Sequence, residues 1–241
     1  MDIQINNLSL GYKKKNPIIM NADFALKSGE ICFIIGKNGC GKSTLLKGIL
    51  DGIPYSNGEI FINYQLVVPA NKKDILTYTG ICLSPGFSYP HLTVEENIKN
   101  IQFLYPKESL LPMNELLDIF NLRSYKKIKT SQLSSGLQKK LDFALSIMHQ
   151  PSLILLDEPT SNLDSQSQKE ILEFIHYQNR IHKVSFLISS HQFDDIEKLN
   201  AHYIVLNNGR IEFDSRNTSL EKKTPISDIF NQIVSEKHHV L

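Results

Sequence analysis

The stretch ICFIIGKNGCGKST, residues 31–44, decides how the chain is read. Its opening run is wholly apolar, which fits a buried strand of a parallel sheet or a stretch of buried helix. The glycines that follow, Gly36, Gly39 and Gly41, decide for the strand, and beyond Gly41 the pattern KSTLLKGIL is helical. Strand, glycine-rich turn and helix, in that order, are the setting in which G-x-x-x-x-G-K-[ST] cradles phosphate. Gly36, Lys37, Asn38, Gly39, Cys40, Gly41, Lys42, Ser43 and Thr44 meet that pattern at every required position. The glycines let successive N–H groups turn inward as an anion nest, and the helix starting near Lys42 adds the positive end of its dipole. Lys42 is expected to reach the β- and γ-phosphates, and the Ser43 hydroxyl to ligate Mg²⁺. Cys40 is expected to serve through its backbone rather than as a nucleophile. The competing reading, a glycine-rich turn that binds nothing, lacks support once motif and context coincide.

A second apolar run, Leu153-Ile154-Leu155-Leu156, ends in Asp157-Glu158, and Pro159 stops it. A parallel strand presents side chains at its C-terminal edge, where α/β folds bind ligands. Asp157 is placed to hold Mg²⁺, directly or through water. Glu158, on the other side of the strand end, is placed to take a proton from an attacking water. Alone, this pattern would read as a strand ending in two solvated acids; beside a phosphate loop it reads as a site.

Around these two runs the pattern is α/β. Residues 3–10 and 20–26 read as antiparallel strands, and Asn57-Gly58 as a turn before the strand EIFIN. Between about 86 and 150 the character is helical. Thr93 and Glu96 have the spacing of a capping box, and residues 114–120 form a second helical pattern. Leu137, Leu141, Ala144, Leu145 and Met148 make a long apolar stripe that Pro151 ends. The core then resumes with a strand at 152–156, a helix at 168–177, a strand at 184–189, a helix at 193–199 and a hairpin turning at Asn207-Asn208-Gly209. Thr224-Pro225 opens a short amphipathic tail helix. The expected division is an α/β core with an antiparallel β subdomain and the phosphate loop over 1–85, a helical subdomain over 86–150, the rest of the core over 151–215 and a tail over 216–241.

Composition narrows the class. The chain has 241 residues, 41% hydrophobic and 21% charged, enough for one sizeable domain with a subdomain. A net charge of +1 gives no reason to expect a nucleic-acid surface. Three cysteines, Cys32, Cys40 and Cys82, match no zinc spacing and read as reduced, mostly buried thiols in a reducing compartment. The N-terminus lacks the pattern of a signal peptide, and no apolar run approaches the roughly 20 residues of a membrane span. A soluble protein that meets a membrane only through a partner is the expectation.

The segments GKNGCGKST, LSSGLQKKL, LILLDEPTSNLD and SSH, in this order and at these distances, resemble the nucleotide-binding domain of ABC transporters from about residue 3 to about 213. The resemblance implies a P-loop NTPase core with a mostly parallel sheet, an antiparallel β subdomain and a helical subdomain. It implies ATP and Mg²⁺ as ligands and ATP hydrolysis as the activity. It places Tyr12 where the family stacks an aromatic on adenine, His191 where a histidine contacts the γ-phosphate, and Asp164 in the SNLD loop that crosses the dimer interface. Ser134, Ser135 and Gly136 fall in the signature that binds the ATP of a second subunit. It also implies a partner ATPase subunit, identical or not, and an integral membrane transporter subunit. The chain would then be cytoplasmic and peripheral on the inner face of the membrane. The short helical part and the SSH segment look most like exporters. A plain surface tyrosine, a helix cap and a structural histidine are the bland readings of Tyr12, Asp164 and His191.

The chain departs from the family in two places. Ser84 stands where a glutamine is expected to contact Mg²⁺ and the attacking water, and no glutamine occurs between Gln65 and Gln102. Serine reaches less far and offers one hydroxyl. The signature reads Leu133-Ser134-Ser135-Gly136-Leu137 where L-S-G-G-Q is commonest, yet it keeps the Ser134 hydroxyl and the Gly136 N–H. The alternative these departures leave open is a soluble or regulatory ABC ATPase not engaged in transport.

Overall fold

A computed structural model describes residues 1–13, 16–50, 52–84, 86–105, 110–217 and 224–235. Pro85 and part of the expected tail lie outside them. The core is a six-stranded sheet in the order β10-β9-β3-β8-β7-β6. Its strands are β3 (Ile31–Ile35), β6 (Thr79–Cys82), β7 (Leu153–Asp157), β8 (Ser185–Ser190), β9 (His202–Asn207) and β10 (Arg210–Asp214). All neighbours are parallel except β10, which closes the edge as a hairpin on β9. A second, antiparallel sheet has the order β2-β1-β4-β5, from β1 (Ile3–Leu10), β2 (Ile19–Leu26), β4 (Tyr55–Ile62) and β5 (Gln65–Leu66).

Two apolar clusters explain the unbroken apolar runs. Ile31, Phe33, Ile35, Ile154, Leu156, Phe186 and Ile188 face the helices on one side. Cys32, Ile34, Leu153, Leu155 and Leu187 face α1 (Lys42–Ile49) and the antiparallel sheet on the other. Successive residues of a strand point to opposite faces, so a strand covered on both sides must be apolar throughout. The helical side holds α3 (Val94–Gln102), α4 (Met113–Ile119), α5 (Ser135–Ile147) and α6 (Ser165–His182). The capping box read from Thr93 and Glu96 forms, each side chain bonded to the other residue's backbone N–H. The stripe on α5 is buried at Leu141, Ala144, Leu145 and Met148. The helix ends at Ile147, ahead of Pro151, and α6 extends beyond the expected 168–177 on both sides.

Other expectations are corrected. Asn57-Gly58 is not a turn: β4 runs straight through it. Gly58, at φ +89°, lies opposite Asn7, at φ +46°, where the β1–β4 register shifts. An added Cβ at Gly58 would stand 2.4 Å from the Asn7 carbonyl oxygen, so the glycine serves a bulge. The stretch leading to Ser84, to which no element is assigned above, begins at Thr79 as the edge strand β6, paired parallel with β7. It follows α2 (Lys72–Thr77), which has too few apolar positions to show in the pattern. Downstream, α7 (Phe193–Leu199) matches its reading, and α8 (Ile226–Ser235) begins one residue after Pro225.

Candidate nucleotide-binding site

The loop of residues 36–41 joins β3 to α1 at the C-terminal edge of the parallel sheet. Gly36 is hemmed in: a Cβ there would fall 2.4 Å from the Leu206 carbonyl oxygen and 2.5 Å from the Cys40 sulfur. The Cys40 thiol is buried, which pushes its pKa up, in keeping with a structural part. Asn38 and Gly39 line a cavity of about 250 Å³ with Lys37, Ile18 and the turn Asn207-Asn208-Gly209. That turn is tied to the loop by the Gly209 N–H donating to the Cys40 carbonyl (3.1 Å) and to β2 by the Met20 N–H donating to the Gly209 carbonyl (2.8 Å). Lys42 is buried, and its Nζ donates to the Gly36 carbonyl at 2.8 Å.

Three side chains that lie far apart in sequence meet here. Lys42 Nζ is 3.8 Å from Glu158 Oε1, and His191 Nδ1 is 2.5 Å from Glu158 Oε2. Glu158 thus stands between two cationic or proton-carrying groups, with its backbone in the left-handed region at φ +52°. Its N–H donates to the Ser189 carbonyl (3.0 Å) and hydroxyl oxygen (3.1 Å). The parallel register sets Asp157 beside Ser189, whose hydroxyl donates to Asp157 Oδ1 at 2.5 Å. Asp157 and the Ser43 hydroxyl, at the start of α1 packed beside β7, offer the oxygen chemistry Mg²⁺ takes from a protein that leaves its other positions to phosphate and water. The donor set therefore fits the ion.

The signature residues stand at the start of α5. Ser134 caps α5, accepting from the Leu137 N–H at 3.3 Å. Ser135 opens the helix, and Gly136 faces Leu163 closely enough that a Cβ would be 3.3 Å from its methyl. Asp164 caps α6, accepting from the Ser167 N–H (2.9 Å) and hydroxyl (2.7 Å), and these bonds lower its pKa. The helix-cap reading of Asp164 therefore holds whatever else it does. Tyr12, on the connection between β1 and β2, is 63% exposed. Ser84 lines a small cavity with Lys139, Asp142, Phe143, Asp157 and Glu158. Lys139 and Ser189 lie in the segments LSSGLQKKL and SSH that carry the resemblance, but neither they nor Asp142 were assigned a role from sequence.

With this geometry in place, the comparisons assign the class. Residues 19–161 match the family described as ABC transporter. The chain belongs to that family and is an ATP-binding, ATPase cassette of it. The phosphonates import ATP-binding protein PhnC 2 of Oceanobacillus iheyensis is 29% identical over 235 residues, covering 90% of this chain and 91% of the relative. The bacitracin transport ATP-binding protein BcrA of Bacillus licheniformis is 33% identical over 190 residues, covering 77% of this chain and 60% of the relative. Among solved structures, the dimeric post-hydrolysis ATP-binding cassette MJ0796 bound to ADP and Pi shares the fold, with a TM-score of 0.78 at 23% identity, over 88% of this chain and 97% of that one.

Proposed function

We propose that the chain hydrolyses ATP with Mg²⁺ as one of two cassettes that close on each other, and that closure drives a separately encoded membrane-spanning transporter subunit. The observation that carries this reading is the meeting of Lys42, Glu158 and His191 at the mouth of the phosphate loop. The β- and γ-phosphates of ATP occupy the nest of backbone N–H groups from Gly36 to Thr44, with Lys42 turned onto them. Glu158 accepts the proton of the attacking water as that water bonds to the γ-phosphorus and the bond to the bridging oxygen breaks. His191, within hydrogen-bond reach of Glu158, orients its carboxylate and faces the γ-phosphate. Ser43 and Asp157 would hold Mg²⁺, which would supply positive charge against the charge that develops on the phosphate oxygens.

Tyr12 stacks on adenine, a contact worth about 1–3 kcal/mol at other base-binding sites. Ser134, Ser135 and the Gly136 N–H, at the N-terminus of α5, meet the ATP of the second cassette, and Asp164 stands at the seam. Among the described residues no helix is long and apolar enough to cross a membrane, and the proposed place of the chain is the cytoplasmic face, held by its partner. Export is the proposed direction, supported by the short helical subdomain and the SSH segment, residues 189–191. Import is the second reading, favoured by the phosphonates import relative. Accumulation of cargo in right-side-out against inverted vesicles separates the two.

Turnover of Mg-ATP by the purified chain tests the chemistry. Glu158→Gln is expected to lower kcat by about 10²- to 10⁴-fold while nucleotide affinity by calorimetry stays within a few-fold. Undiminished turnover in that variant overturns the assignment of the base.

A further inference from the structure

Lys139 lies in the first turns of α5, yet its ammonium reaches away from that helix. Nζ donates to the Glu158 carbonyl at 2.9 Å and the Ser161 carbonyl at 2.6 Å, and it also contacts the Ser161 hydroxyl. An ammonium has three N–H donors, and all three are spent on the turn that carries Glu158. The turn is otherwise held by the Ser161 N–H (3.3 Å) and hydroxyl (3.0 Å), both donating to the same Glu158 carbonyl. Glutamate at φ +52° is in an uncommon conformation, which persists only where its surroundings fix it. On α5, three residues further along, Asp142 Oδ1 accepts the Ser88 N–H at 2.9 Å. One face of the signature helix thus grips both the turn after β7 and the loop after β6.

We propose that Lys139 is a positioning residue for Glu158, fixing the turn that aims its carboxylate and linking the attitude of α5 to the catalytic base. The inference rests on the reading of Glu158 as that base. It gives this chain a direct tie from its signature helix to its base, at a cavity where Ser84 replaces the expected glutamine.

The experiment uses the full chain and Lys139→Met, which keeps the apolar stem and removes the donors. The expected result is a kcat lower by about 10- to 100-fold, as for small misplacements of catalytic groups, with KM for ATP within about threefold. Lys139→Arg, which keeps a cation with several donors, is expected to restore most of the rate. In a Glu158→Gln background, Lys139→Met is expected to lower the residual rate no further, since the two act as a unit. Amide hydrogen exchange is expected to speed up in residues 158–164 and not in α1. If Lys139→Met does not fold, Lys139→Gln takes its place with the same expectations. A wild-type kcat and unchanged exchange at 158–164 overturn the inference, as does a full multiplicative loss in the Glu158→Gln background. If Glu158→Gln alone retains turnover, the base assignment fails instead, and the exchange measurement still judges whether Lys139 holds the turn.

Discussion

Glu158 illustrates what a single residue is asked to do. Its φ of +52° carries a local strain of about 1–3 kcal/mol, offset by the bonds its N–H donates to Ser189 and those its carbonyl accepts from Lys139 and Ser161. The neighbouring Asp157 depends on the Ser189 hydroxyl in the same way. Ser189→Ala removes that donor, and loss of such a supporting bond costs metal affinity by about 10- to 100-fold. The expected outcome is a rise of that order in the Mg²⁺ concentration giving half-maximal turnover, read by titrating Mg²⁺ at fixed ATP. Buried histidines contribute to stability against acid. His149 is buried, stacked on Tyr105 at 4.2 Å and bonded to the Thr79 carbonyl at 3.2 Å, and burial lowers its pKa from 6.5 to about 4. Between those two values the unfolded chain binds the proton and the folded chain does not. Stability therefore rises with pH across that window: the contribution is full above pH 6.5 and is lost as pH falls toward 4. At about 1.4 kcal/mol per pKa unit it amounts to roughly 3 kcal/mol. Burial lowers the pKa of His202 to about 4 as well, so urea denaturation from pH 4.5 to 7.5 is expected to show at least that slope, and His149→Phe to remove only its own share of it.

At the scale of elements, α5 joins two tasks. Its N-terminus presents Ser134 and Gly136, and the face bearing Lys139 and Asp142 holds the loops that follow β7 and β6. The bulge in β4 is a second designed feature: Gly58→Ala meets both a positive φ and the Asn7 carbonyl oxygen. Its expected cost exceeds the ~1 kcal/mol of an ordinary glycine position, seen as a lowered Tm with ATP affinity unchanged. What could be read in advance follows from burial. β3, β7 and β8 were legible because both of their faces are covered, so their sequences are apolar without a break. β6 was not, since Thr79-Gly80-Ile81-Cys82 at a sheet edge carries no such run. Asn57-Gly58 misled because the same backbone angles serve a hairpin turn and a bulge, and only the partner strand decides which. The phosphate loop and the Asp157-Glu158 pair were legible because their chemistry depends on local order along the chain. The grip of Lys139 on the Glu158 turn was not, because periodicity places a side chain on a face without saying which distant carbonyl a long side chain will reach.

For the whole molecule, the parallel sheet is the frame. α1 and the antiparallel sheet cover one face, and α3 to α6 cover the other. The C-terminal ends of β3, β7 and β8 then bring Lys42, Glu158 and His191 to one edge. Gly136 of the signature segment packs instead against Leu163. Under the proposed mechanism a single chain carries two half-sites, and a second cassette completes each. Sedimentation equilibrium of the Glu158→Gln chain, with and without Mg-ATP, tests this most directly. The account expects a monomer without nucleotide and a stable dimer with Mg-ATP that reverts when the nucleotide is removed. A chain that binds ATP with measurable affinity and stays monomeric at every concentration tested would contradict it.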